Sequence, residues 1–350
     1  MKIQQKINGL IAVCVAVILA NLVIFANTDI ARFNGWQVVG PNGGDIRDIT
    51  IDPRDKNRLY ITTLDSQIYT SGDAGNTWRF LATFARPQVT LDDILVDSED
   101  SKIIYVTGHR HKEPGGFMYS RDGGLTWTEA KDLKSEAIHA FAQSSKNPNI
   151  LLAGGDGRVF ISYDKGENWK RITDEKVAFS KQLVDSAAFD PRNSNVIYIG
   201  TTWRPYKSTD GGKTWKLISK GMIDDSDVFA IDVDPANPDH IVSSACSGIY
   251  ESFDGGELWK KIQGIPSQSR RTKDIVRNPA KNGGVYAATT EGFWMSTDNG
   301  KTWSLTSQRE LEVNSITVHA EEPNKIYIAT NNYGLMVSTD GGKKFQYPKR

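Results

Sequence analysis

An octet of the form Ser-x-Asp-x-Gly-x-Thr-Trp is spelled seven times along this chain, and no other feature narrows the possible folds so far. The copies are Ser71–Trp78, Ser120–Trp127, Ser162–Trp169, Ser208–Trp215, Ser252–Trp259, Ser296–Trp303 and a weaker Ser338–Phe345. Successive octet aspartates are 49, 42, 46, 44, 44 and 42 residues apart. A self-similar unit of that length cannot bury an apolar face alone, and it matches one four-stranded blade of a β-propeller. Within the octet, glycine supplies the positive φ of a tight hairpin. The aspartate can accept hydrogen bonds from N–H groups of its own turn, with serine and threonine hydroxyls closing the same loop. The tryptophan then opens the next strand and lays a large apolar surface over the hairpin.

The stretches between octets supply the remaining strands. In the first unit, Asp45–Ile51 reads as an inner strand, Asp52-Pro53 as a turn, Arg58–Thr62 as the second strand, Gln67–Thr70 as the third and Trp78–Leu81 as the outer one. The same order returns after Asp190-Pro191, Asp234-Pro235 and Asn278-Pro279. Trp36–Val39 resembles an outer strand with no unit before it, and Phe345–Tyr347 is a short outer strand at the other end. Pairing the first with the last blade would close the ring and remove two exposed edges. The expectation is an all-β, seven-bladed β-propeller of four-stranded antiparallel blades over residues 34–350, preceded by one hydrophobic helix within residues 1–30.

That leading segment has Lys2 and Lys6 before an apolar run from Gly9 to Ala26, broken only by Asn21. Eighteen helical residues at ~1.5 Å each reach roughly 27 Å, enough to cross a bilayer core. A signal peptide also fits, but cleavage after Ala20 or Ala26 would put Ile18 or Ile24 where a small side chain is wanted, which favours an uncleaved anchor. Either way the body is expected outside the cytoplasm, on the periplasmic side: tethered by residues 9–26, or secreted if cleaved. Forty-two basic and 42 acidic residues cancel, so no global field draws the chain to nucleic acid. Cys14 in the apolar segment and Cys246 in an expected strand offer no disulfide framework.

The octets resemble the Asp-box (bacterial neuraminidase repeat) superfamily, which includes sialidases, xyloglucan hydrolases, sortilin and the photosystem II assembly factors. The likeness spans most of residues 34–350 and is nearest to the sortilin-like and photosystem II assembly-factor-like propellers. It implies that Asp73, Asp122, Asp164, Asp210, Asp254, Asp298 and Asp340 are structural, peripheral residues. No copy offers the six to eight oxygen ligands of a calcium loop. Sialidase function would want an Arg-Ile-Pro segment near the N-terminus, which is lacking, and xyloglucan hydrolases build their cleft between two propellers. Photosystem II assembly factors tend to carry Gly-Trp-x-Val-Gly where this chain has Asp-Pro followed by Ile-Tyr.

Function is therefore sought in the loops of one face, where the repeats differ. A long second-blade insertion carries His109, Arg110, His111 and Lys112; the fourth blade offers Trp203 and Arg204 at the equivalent place; Arg270, Arg271 and Lys273 precede or open the sixth inner strand. Together they would make a basic and aromatic patch for carboxylates, phosphates or an acidic partner. His109 and His111 alone, with no third ligand nearby in sequence, do not make a metal site, and no metal or cofactor is expected. A hydrolase would need two carboxylates across the face, for which Asp65, Asp92, Asp93, Glu291, Asp224, Asp225 and Asp227 are candidates. The expected function is a non-catalytic extracytoplasmic binding or scaffold propeller, serving a protein partner in assembling, or as a subunit of, a membrane complex. The alternative is a glycoside hydrolase or carbohydrate-binding propeller.

Overall fold

The computed structural model describes residues 32–33, 36–38, 44–84, 89–110, 113–223, 227–262, 264–266, 272–280 and 283–343. The expected N-terminal hydrophobic helix lies outside them. No helix among the described residues is long and apolar enough to cross a membrane.

Seven antiparallel sheets form from the described residues, six of them four-stranded and in simple chain order. The first blade consists of Ile46–Asp52, Asp55–Thr63, Gln67–Ser71 and Arg79–Thr83, within a few residues of the strands expected from sequence. The seventh is built differently. Val313–Val318, Ile326–Thr330 and Gly334–Ser338 are completed on the outside by Trp36–Val38, which pairs in the register Trp36↔Ser338, Gln37↔Val337 and Val38↔Met336. Arg32–Phe33 adds a further short strand outside it. Two ends of the chain, about 300 residues apart, thus share one sheet, and the ring is closed by main-chain hydrogen bonds as the sequence implied. Cys246, expected in a strand, instead occupies the turn between Ile241–Ala245 and Gly248–Ser252.

The core lies between blades. Second strands such as Leu151–Gly155, Val285–Thr289 and Ile326–Thr330 are buried at every position because a neighbouring blade covers each face. One apolar cluster joins Ile49, Leu59 and Ile61 of the first blade to Tyr327, Ala329 and Val337 of the seventh, so the closure is packed as well as hydrogen-bonded.

The octets act as the locks at the blade periphery. In the first, Ser71 Oγ donates to Asp73 Oδ1 at 2.8 Å while accepting the Gly75 N–H at 2.8 Å. Asp73 Oδ1 also accepts the Thr77 N–H at 2.8 Å, and Oδ2 accepts the Thr77 hydroxyl at 2.6 Å. The indole of Trp78 donates back to the Gly75 carbonyl at 3.0 Å. These donors hold the equivalent Asp122 and Asp210 carboxyls down at about 2, the threonine hydroxyl being the largest influence. Each box aspartate is therefore occupied within its own hairpin. The fifth box departs from the pattern: Leu258 replaces threonine, and the Trp259 indole donates instead to Ile218 of the preceding blade at 2.6 Å.

Candidate functional site at the propeller axis

The inner strand of every blade carries a break in pairing register at the same place, near its start. The breaks fall between Ile46 and Asp48, Leu91 and Ile94, Ile138 and Ala140, Val184 and Ser186, Val228 and Ala230, Thr272 and Asp274, and Val313 and Ser315. A bulge adds an unpaired residue, kinks the strand and re-aims that side chain. The residues so displaced are Arg47, Asp92 with Asp93, His139, Asp185, Phe229, Lys273 and Asn314. All of them line one cavity of about 450 Å³ in which the seven inner strands meet. Each blade contributes to it, on rigid strand backbone and not on loops.

In blades one, four, six and seven the residue after the bulge stitches the ring together. Ser315 of blade seven donates to Asp48 Oδ1 at 2.6 Å, and Asp48 Oδ2 accepts the Ile94 N–H of blade two at 2.8 Å. Asp274 of blade six accepts the Ile316 N–H of blade seven at 3.0 Å, and Ser186 of blade four donates to the Val228 carbonyl of blade five at 3.0 Å. Burial, and after it the neighbouring carboxylates, raises the proton affinity of Asp48, Asp93 and Asp274. Burial pushes Asp274 up to about 7 against the pull of the Ile316 N–H. Burial, then the nearby Asp48 and Asp92, holds Asp93 well above the usual carboxylate range. Asp93 also accepts the Thr107 hydroxyl at 3.2 Å.

One arc of the rim gathers two histidines. His109 Nδ1 lies 2.5 Å from Asp92 Oδ2, and this hydrogen bond raises the His109 pKa despite burial. The imidazole rings of His109 and His139 sit with centroids 4.5 Å apart, and burial, followed by the His109 charge, lowers the pKa of His139. Arg47 Nη2 is 3.7 Å from Asp92 Oδ1. On the far side of the ring Lys273 Nζ contacts Glu312 Oε1 and Asn314 Oδ1, each at 2.5 Å.

The residues expected in one basic and aromatic loop patch do not all reach this cavity. His109 and Lys273 line the cavity, whereas Trp203 and Arg204 do not. Trp203 is 48% exposed, and Arg204 Nη1 donates to Ser219 Oγ at 3.0 Å on its own blade. The described part of the second-blade insertion is strand: Ile104–Arg110 and Glu113–Ser120 continue as paired strands up to Arg110↔Glu113. Arg110 lies in that strand. His111, Lys112, Arg270 and Arg271 lie outside the described residues, as do the candidate acids Asp224 and Asp225.

Among the other candidate acids, Asp92 and Asp93 reach the cavity, while Asp65, Glu291 and Asp227 do not line it. Glu291 Oε2 is paired with Arg309 Nη1 at 2.8 Å, and Asp227 Oδ2 accepts the Cys246 thiol at 3.4 Å. Sequence reasoning missed Arg47, His139, Asp185, Phe229 and Asn314, which sit inside strands where chemistry was not sought. A signal existed: the displaced residue of blades one and three to seven stands 25 or 26 positions before its box aspartate, and Asp92 stands 30 before Asp122 in the extended second blade.

Seven such blades, each closed by an Asp box, define an Asp-box β-propeller. The chain belongs to the Sortilin-Vps10 family (sortilin, neurotensin receptor 3), whose model matches residues 34–156 and 247–349; the BNR/Asp-box repeat matches residues 206–217. No curated protein matches the sequence. Among solved structures, the fold is similar to the GH74 xyloglucanase of Xanthomonas campestris, with TM-score 0.68, 16% identity, and coverage of 91% of this chain and 55% of that one. The chain thus spans about half the length of that enzyme. It is also similar to YCF48 from Cyanidioschyzon merolae, with TM-score 0.63, 16% identity, and coverage of 87% of this chain and 98% of that one. A further match, YCF48 bound to D1 peptide, has TM-score 0.62, 14% identity, and covers 89% of this chain and 99% of that one. At these identities the likeness is one of fold, and it favours neither an enzyme nor a binding protein.

Proposed function

We propose that this chain is a non-catalytic binding propeller that holds a polypeptide segment of a partner in the axial cavity, as an assembly factor for, or subunit of, a membrane complex. The fate of the axial carboxylates carries this reading. A glycoside hydrolase needs one carboxyl poised as acid and a second as base or nucleophile across a gap. Here Asp48 and Asp274 accept backbone N–H groups of the next blade, and Asp92 is engaged by His109 and Arg47. What faces the cavity is a fixed set of Arg47, Lys273, Phe141 and Phe229 beside those acids. Mixed charge and two phenyl rings on unyielding strands suit recognition of a chain end or turn with little reorganisation. The structurally similar YCF48, solved bound to D1 peptide, lends a precedent for peptide binding on this fold.

The apolar run at residues 9–26 supports a further part of the proposal, a propeller held at the extracytoplasmic membrane surface. Such a tether confines the search for a membrane partner and raises its effective concentration.

The test is recovery of partners from detergent-solubilised membranes by the wild-type chain and by Arg47→Glu/Lys273→Glu, alongside a polysaccharide hydrolysis screen. A protein enriched by the wild type and lost at least about tenfold by the double variant, without turnover, supports the proposal. Turnover that Asp92→Asn or Asp185→Asn abolishes would overturn it.

A further inference from the structure

We infer that Asp92, His109 and His139 form a site for a zinc-class transition-metal ion at the rim of the axial cavity. Three side chains from two blades converge here. Each offers a ligand atom, a carboxylate oxygen or an imidazole nitrogen, and these atoms all lie within 4.8 Å of one another. Zinc held by such ligands at roughly 2.0–2.2 Å requires them about 3.3 Å apart, so small side-chain rotations close the site. Asp92 Oδ2 and His109 Nδ1, hydrogen-bonded at 2.5 Å, must part by about 0.8 Å and give up the shared proton to admit the ion.

Backbone irregularity aims all three. Asp92 falls in the break between Leu91 and Ile94, His139 in that between Ile138 and Ala140, and His109 at a second break of its own strand, between Gly108 and His109. Bulges are a usual device for re-aiming side chains at functional places, and here three of them point to one spot. Gly108 permits the close approach: a Cβ there would lie 2.6 Å from the Thr90 carbonyl oxygen. Two groups behind the ligands complete the pattern of outer partners that orient metal ligands. Arg47 Nη2 stands 3.7 Å from Asp92 Oδ1, and Asp156 Oδ1 stands 3.4 Å from His139 Nε2.

Two imidazoles and one carboxylate are a borderline donor set, better suited to zinc than to magnesium or calcium, which prefer all-oxygen shells. Three protein ligands leave a fourth position open, and the cavity lined by the same residues adjoins it. The ion would add a fixed positive charge and a ligand-accepting position to the rim.

Calorimetric titration of the full-length chain, purified without a polyhistidine tag, with zinc chloride tests the assignment, with magnesium chloride as the comparison. The expected result is one zinc ion per chain and no magnesium heat, with affinity reduced at least about tenfold by His109→Gln and by His139→Gln. His319→Gln, a histidine elsewhere in the seventh blade, should leave the affinity unchanged. The wild-type chain loaded with cobalt(II) should also show the intense visible bands of a four-coordinate ion, a readout independent of how the variants fold. Absence of a zinc heat, undiminished binding in both histidine variants, or a cobalt spectrum like that of the hydrated ion would overturn the site.

Discussion

Replacing Gly212 with alanine should destabilise the fold by about 2–5 kcal/mol, whereas the same change one residue earlier, at Gly211, should cost about 1–2 kcal/mol. Both glycines sit in the left-handed region of the fourth Asp box, Gly211 at φ 73° and Gly212 at φ 86°. An L-residue there costs roughly 1–2 kcal/mol, common to both variants. The position of Gly211 tolerates that cost, since Ala74, Lys165 and Asn299 occupy it in other boxes at φ 61°, 57° and 64°. Gly212 differs in its surroundings. An added Cβ would lie 2.2 Å from Ile172 Cδ1 of the preceding blade, whereas at Gly211 the nearest atom, Asn195 Oδ1, is 3.3 Å away. Moving the Ile172 side chain in a packed interface adds about 1–3 kcal/mol. Urea unfolding followed by tryptophan fluorescence, with both variants measured against wild type, gives the comparison. Equal losses for the two, or an unaffected Gly212→Ala, would refute the view that the box glycine is an interlock between blades as well as a turn residue.

Two further outcomes follow from buried polar groups. Ser162→Ala removes the hydroxyl that accepts the buried Gly166 N–H at 2.9 Å and should cost about 1–3 kcal/mol in the same unfolding assay. Asp274 should make stability fall as pH rises from about 4 to about 7. The folded chain keeps this proton up to about 7, while an unstructured aspartate releases it near 3.8, so in that window the native state binds the extra proton. Melting temperatures measured across the window should fall less steeply for Asp274→Asn than for wild type; parallel slopes would contradict the assignment.

Blade number, strand order and the closing role of Trp36–Val38 were open to reading from sequence because each rests on local signals: turn glycines, box aspartates and alternating apolar runs. The axial cavity was not. A bulge is a difference in residue count between two paired strands, and no residue type marks it, so Arg47, His139 and Phe229 read as ordinary strand positions. His109 was singled out, but its partner His139 is 30 residues away on another blade, and only the blade-to-blade register brings them together. Trp203 and Arg204 were conspicuous residues placed by loop position alone, and they do not line the cavity.

The central claim, that a polypeptide partner is held at the axial cavity, is tested most directly by site-specific photo-crosslinking in cells. A benzophenone side chain would replace Phe229 at the cavity or Leu125, which is 74% exposed in an Asp box. A discrete crosslinked protein from position 229 and none from position 125 is the predicted result. Crosslinks from position 125 alone, or from neither position while the purified chain cleaves a polysaccharide, would contradict it.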